Sequence, residues 1–401
     1  MNGCSHSESP TEKNISDADS TSGLIYQLNR RQLLAGLGGA LLLAGAPGLA
    51  APGAQNGTEC WVSARGDSLG NFGLGWVDII SQAGHDMLTG FRGHGVLQHP
   101  MRKNSVIFVS RRPGTRALEI DLRTGDRVGE FNCTPGHHLF GHGCFSQDGR
   151  VFYTTEGNIA DGLGRIVVRD ADNYAVLDEW SSHGIGPHDI RLLPDGQTLV
   201  VANGGILTRP ETGRKPLNLA TMTSCLSYVD ANTGLLSDEY RVAEPKSSIR
   251  HLDVAADGTV AFAIQLQREA TSHDQTVPLA GIHRPGEGLT LFDQPIPVID
   301  RLQDYVGSVA ICNDSRVAGF ASPRGNLAVF WNIDDGRLIG YHRLRDVCGI
   351  AVSPLRRAFV VSNSFGELRE LDAVTLTERR DRRIRLPGYR WDNHLLVTGS
   401  T

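Results

Sequence analysis

Apolar and polar residues alternate along most of this chain in short runs, the period-2 signature of half-buried β-strands. The runs recur with a common plan. Four segments show it most clearly: "GHGCFSQDGRVFYTTEG" from Gly141, "PHDIRLLPDGQTLVVANGG" from Pro187, "RHLDVAADGTVAFAIQL" from Arg250 and "GSVAICNDSRVAGFASPRG" from Gly307. Each opens with a short alternating strand, turns at Asp-Gly or Asp-Ser, and continues into a more apolar strand, a repeated hairpin signal. A third strand, a second turn and a fourth strand follow, as in "GRIVVRDADNYAVLDEW" (164–180) and "NLAVFWNIDDGRLIGYHRL" (326–344). Two degraded copies fill residues 94–131 and 348–380, so six four-stranded units span 94 to about 385. The ends complement each other. "WDNHLLVTG" (391–399) reads as an inner strand without a hairpin partner, and residues 60–67 and 75–84 read as outer strands without an inner one. Joined, they make a seventh blade, and closure removes the open sheet edge. The expected fold is all-β, a seven-bladed β-propeller whose last blade is closed by N- and C-terminal strands. A β-sandwich leaves the matching ends unexplained.

Aligning the units on their first turn aligns the start of every innermost strand. Asp148, Asp257 and Asp314 lie six positions after His142, His251 and Ser308; Asp195 lies seven after His188. The same spacing picks His94 and Cys348 in the degraded copies, and the closing blade supplies His394. Innermost strands of a propeller run along its central channel, so these residues are expected to ring the channel at one end. Five of the 14 histidines occupy those seven places. His137, His138, Asp189, Arg250, Asp392 and Asn393 crowd the same end. Three readings stay open. Neutral imidazoles of His94, His142, His188, His251 and His394, with Cys348 and His138, converge on a transition metal, iron or copper, with Asp189 or Asp392 orienting the rings. Alternatively the ring takes an anion or cofactor through Arg250, Arg324, Asp189 and Asn393, or the histidines are a structural lining of the channel with no cofactor. Direct proton-transfer catalysis is the least favoured. Glu156 and Asn203 end second strands at matching places and are read as turn caps.

Composition narrows the field. The 401 residues carry a formal charge of −5, with 47 Gly and only 5 Trp; there is no basic footprint for nucleic acid. Seven cysteines form no CxxC, so zinc-ribbon, thioredoxin-like and c-type haem readings lack support. No GxSxG, HExxH, Walker-type or GxGxxG fingerprint stands in a suitable context, and the chain is not expected to be an enzyme. Residues 1–50 read as a disordered leader plus a twin-arginine signal: Arg30-Arg31 precede an apolar Gly/Ala-rich run that ends in a small-x-small site. Residues 51–401 read as the single propeller, periplasmic after export and with no stable membrane insertion once the signal is cleaved. Two long connections, 203–225 and around 267–278, interrupt the regular spacing.

"HHLFGHGCFSQDGRVFYTTEGN", "GIGPHDIRLLPDGQTLVVANGGI", "GRKPLNLATMTSCLSYVD", "SIRHL", "YVGSVA", "SPRGN" and "DVCGIA" together resemble the DUF1513 family of exported bacterial seven-bladed propellers (YVTN/WD40-like). The resemblance covers about residues 60–397. It implies a periplasmic monomer working beside imelysin-type and dihaem-type proteins, as an accessory or binding protein in iron, haem or copper uptake. It brings no catalytic residue with it. The alternatives are a metal-free interaction scaffold that uses the 203–225 connection, and a propeller redox enzyme or hydrolase.

Overall fold

A computed structural model describes residues 59–399; the leader and signal read over 1–50 lie outside the described residues. Seven antiparallel sheets form the described chain. Six are four-stranded blades in simple meander order, with inner strands Gly93–Gln98, His137–Phe145, Pro187–Leu192, Ser247–Val254, Ser308–Cys312 and Val347–Ser353. Each inner strand contacts that of the next blade, and the ring closes through the seventh sheet.

In that sheet Cys60–Gly66 pairs with Arg390–Trp391 and Leu396–Val397 on one side and with Phe72–Asp78 on the other, and Gly84–Leu88 forms the rim. Closure by both ends is as expected, but the strand bounds differ. The second outer strand reads as 75–84 in the sequence, whereas the structure has a strand at Phe72–Asp78, a turn, and a further strand from Gly84. The glycines of Phe72–Asp78 answer to packing. A Cβ on Gly73 would stand 2.2 Å from the Met87 carbonyl oxygen, and one on Gly75 would stand 2.8 Å from the Trp391 ring. Only glycine lets the neighbouring strand and the closing indole come this close.

The core lies between blades. The second strands, such as "SVIFVS" at Ser105–Ser110, are buried on both faces and read as continuous apolar runs. Between the seventh and first blades, Val62, Leu74 and Trp76 pack with Val106, Phe108 and Leu118. The outer turns repeat one device: the carboxylates of Asp121, Asp170, Asp230 and Asp372 each accept the backbone N–H groups two and three residues on. Among the described residues no helix is long and apolar enough to cross a membrane, and all six cysteines are free.

Candidate functional site: a histidine cluster on the propeller axis

The inner strands are bulged where the histidines sit. Register slips between Gly93 and Val96, Leu139 and Gly143, Pro187 and Asp189, Ile249 and His251, and Val347 and Gly349. His394 falls in the break between Arg390–Trp391 and Leu396–Val397, with φ 73°. A bulge leaves a residue outside the ladder and re-aims side chains.

The bulges also split the expected single ring into two neighbouring registers. Asp189, His251 and Ser308 stand opposite Ala202, Ala263 and Ala321, the corresponding alanines of three second strands. His188 and Cys348 are the extra residues, one place earlier, where the fourth blade carries Arg250. The seven-residue spacing from His188 to Asp195 was the sign of this, since Asp189 stands at the common six, but an extra residue in a strand and an extra residue in a turn look alike in sequence.

Despite the stagger the five imidazoles meet on the axis. His94, His142, His251 and His394 each present one ring nitrogen, and these four atoms lie within 4.8 Å of one another. The His394 ring centre is 4.3 Å from that of His251, 4.6 Å from His94 and 4.7 Å from His142. His188 flanks the group, its Nε2 3.3 Å from His94 Nε2 and its ring 4.7 Å from His251. Each member of the foursome keeps one buried ring nitrogen with no hydrogen-bond partner: His94 Nδ1, His142 Nε2, His251 Nδ1 and His394 Nε2. Burial, reinforced by neighbouring imidazoles and arginines, holds all five well below the usual histidine range. They are therefore neutral near pH 7, each with an acceptor lone pair.

Asp189 is fully buried. Its Oδ1 lies 3.3 Å from His142 Nδ1 and accepts from Arg191 Nη1 at 2.6 Å, while Oδ2 accepts the Leu252 N–H at 3.0 Å. A carboxylate on Nδ1 fixes the tautomer and turns the lone pair to Nε2. Asp392 touches no imidazole, because Arg92 and Arg111 hold its carboxylate at 2.6 and 3.0 Å.

Other candidates are not drawn into the group. The Cys348 thiol donates to the Trp391 carbonyl at 3.3 Å, and burial pushes its pKa up. His138 packs on Phe140, with Nδ1 near the Leu139 carbonyl. Ser308 Oγ accepts the Ile350 N–H. Arg250, Arg324 and Asn393 belong to the channel mouth: Asn393 donates to the Tyr305 hydroxyl, and Arg324 lies over the Tyr305 ring at 5.2 Å. Glu156 accepts the Thr134 N–H like a cap, but it is also the centre of a buried network with Arg169 and His137. Asn203 ties Ser182 to Ser227. Sequence reasoning missed Arg111, Arg112, Arg214 and Tyr305, which sit in loops of unequal length with no common spacing.

Below the cluster, residues that follow the histidines along their strands line a cavity of about 330 Å³, among them Val96, Gly143, Arg191, Val309 and Ile350; His142 and His394 face it. The cluster therefore plugs the channel between the mouth and this cavity. Gly141 makes the plug possible. Its φ is +107°, and a Cβ there would stand 2.8 Å from His94 Cδ2. Gly141→Ala is expected to cost about 1–3 kcal/mol in denaturant melts. Gly136→Ala, also at positive φ but with nothing near its Cβ, is expected to cost distinctly less. Equal costs would remove the steric role assigned to Gly141.

The comparisons with known proteins bear on the fold. No curated protein matches the sequence. Among solved structures, hydrazine synthase of Kuenenia stuttgartiensis superposes with a TM-score of 0.59, at 12% identity, covering 76% of this chain and 90% of that one. At that identity the likeness concerns the propeller alone. The family described as "Protein of unknown function (DUF1513)" matches residues 88–398, which include every histidine of the cluster. The chain belongs to the DUF1513 family.

Proposed function

We propose that this propeller is a transition-metal-binding protein whose metal sits on the axis, held by His94, His142, His251 and His394. The observation that carries the reading is that imidazoles from four different blades each bring one ring nitrogen within 4.8 Å of the other three, in a cluster where each also keeps one buried nitrogen without a partner. Leaving one buried polar nitrogen unsatisfied costs about 1–3 kcal/mol, and a shared ligand would offset that cost in four rings of one cluster. Four nitrogens about 2.0–2.1 Å from one ion stand roughly 3.3 Å apart in a tetrahedron and about 4.1 Å apart across a square plane. The 4.8 Å spread is wider than either, so the proposal requires the rings to draw together around the ion. His188, hydrogen-bonded to His94, and Asp189, on His142, would then orient the ligands.

The donor set selects the ion class. Neutral nitrogen donors suit copper, iron, zinc or nickel and reject magnesium and calcium, which require oxygen. Copper or iron accords with the accessory role in periplasmic metal acquisition that the family resemblance implies, alongside imelysin-type and dihaem-type proteins. Nothing in the cluster is arranged as a nucleophile with its base, so the reading is of binding and delivery, not of turnover.

Anaerobic titration of purified, metal-stripped protein with Cu(I), Cu(II), Fe(II) and Zn(II), using Mg(II) as control, tests it. One equivalent bound with a rise in melting temperature supports the proposal. Absence of binding with all four transition ions overturns it.

A further inference from the structure

Above the histidine plug the channel opens among arginines. Arg92 precedes the first blade's inner strand, Arg111 and Arg112 follow its second strand, Arg214 lies in the long 204–224 connection, Arg250 is the bulged residue of the fourth blade, and Arg324 sits in the turn after Val317–Ser322. In an antiparallel blade the start of the first strand and the end of the second share one face. All six therefore come from one end of the propeller. One carboxylate, Asp392, serves two of them, Arg92 and Arg111.

Among the described residues none of the remaining four forms an ion pair, and Asp392 reaches only Arg214 of them, through its charge. Arg112 is 9% exposed, and neither a hydrogen bond nor an ion pair holds its guanidinium. Arg250 reaches only the Ser248 hydroxyl at 3.3 Å, and Arg324 only the Tyr305 ring. Elsewhere in the protein buried arginines are neutralised, as Arg169 is by Glu156 at 2.6 Å. A buried guanidinium without a counter-charge is costly, and the like charges here act on one another. Burial first, then Arg250, Arg111 and Arg214, hold Arg112 well below the usual range, and Arg111 foremost lowers Arg214. Beside these four a cleft of about 490 Å³ opens, lined by the paired Arg92 and Arg111, by Tyr305 and Asn393, and by the carboxylates of Asp67, Asp346 and Asp392.

We propose that this mouth is a binding site for a small oxyanion of the carboxylate or phosphate class, taken between Arg112, Arg214, Arg250 and Arg324. Guanidinium groups match the planar, bidentate geometry of such anions. The site stands on the far side of the plug from the lower cavity, and its ligand does not need a metal on the axis.

Isothermal titration of the full exported chain with citrate and with inorganic phosphate, chloride serving as control, tests the proposal. One of the two oxyanions is expected to bind with 1:1 stoichiometry and to raise the melting temperature, while chloride does neither. Arg112→Met and the double variant Arg112→Met/Arg214→Gln are expected to weaken that anion at least ~10-fold. The same variants, without anion, are expected to melt at or above the wild-type temperature, because an unpaired buried charge has been removed. An arginine with a merely structural role would instead lower the melt. The proposal is overturned by failure of both oxyanions to bind wild-type protein, or by variants that melt lower and bind anion as before. Metal uptake measured on the same variants is expected to be unchanged, so anion binding without metal binding leaves the mouth standing and removes the axial centre.

Discussion

A double variant, His142→Ala with His394→Ala, is expected to lose the metal while keeping the propeller. Both rings face the lower cavity, and each carries an unpartnered Nε2. Altering a residue that only orients a metal ligand weakens binding by about 10–100-fold, so deleting two ligands is expected to exceed that and leave no measurable stoichiometric binding. Asp189→Asn, which disturbs the orienting contact to His142, is expected to fall inside the 10–100-fold range. The readout that separates a ligand role from a lining role is linkage. With metal at ~100 times its dissociation constant, wild-type protein gains about 2.7 kcal/mol of stability, and the double variant gains none. If the histidines only line the channel, neither protein responds to metal and the variant simply melts lower.

The second large effect is structural. Glu156→Gln is expected to destabilise the protein by about 3–5 kcal/mol, because it leaves the Arg169 guanidinium charged and buried without its carboxylate. Arg169 is 2% exposed and Glu156 is fully buried; their contact is 2.6 Å, and Arg169 is further fixed by Thr154, the Tyr174 carbonyl and the Phe131 ring. Glu156→Gln combined with Arg169→Met is expected to recover most of the loss, since removing both charges is far cheaper than removing one. Asp148→Asn, at an exposed turn, is expected to change stability by less than about 0.5 kcal/mol.

The pH dependence carries a definite sign. Burial acts to raise the Glu156 pKa, but the hydrogen bond from His137 and the charge of Arg169 outweigh it and leave the carboxyl below its ordinary range. A depressed folded-state pKa contributes stability above the unfolded value, near 4.3 for glutamate, and that contribution disappears as pH falls through the folded value. Wild-type protein is therefore expected to lose stability below about pH 4 more steeply than Glu156→Gln. Parallel acid limbs in denaturant melts would count against the assignment.

Most of the fold was legible because local chemistry repeats: an Asp-Gly or Asp-Ser turn six or seven residues after the inner-strand start in four blades, and an aspartate capping the outer turn in four. The strand Phe72–Asp78 was misread at its start, because Gly73 and Gly75 are glycines for the sake of Met87 and Trp391, contacts between segments that no local pattern reveals. The histidines were legible as a set, since turn spacing placed them on inner strands. Their stagger was hidden by bulges that exchange a strand residue for a turn residue, as between His188 and Arg250. Arg111, Arg112, Arg214 and Tyr305 could not be found in the same way. They lie in loops of different lengths and converge only when the ring of blades closes.

The central claim is that four imidazoles on the axis hold a transition metal. Elemental analysis of protein produced in its native host and purified without chelators tests it most directly. The account predicts close to one equivalent of copper or iron per chain, retained through gel filtration and absent from the His142→Ala/His394→Ala variant. Equal trace metal in wild-type and variant protein, with no uptake when copper, iron or zinc is added, would contradict it.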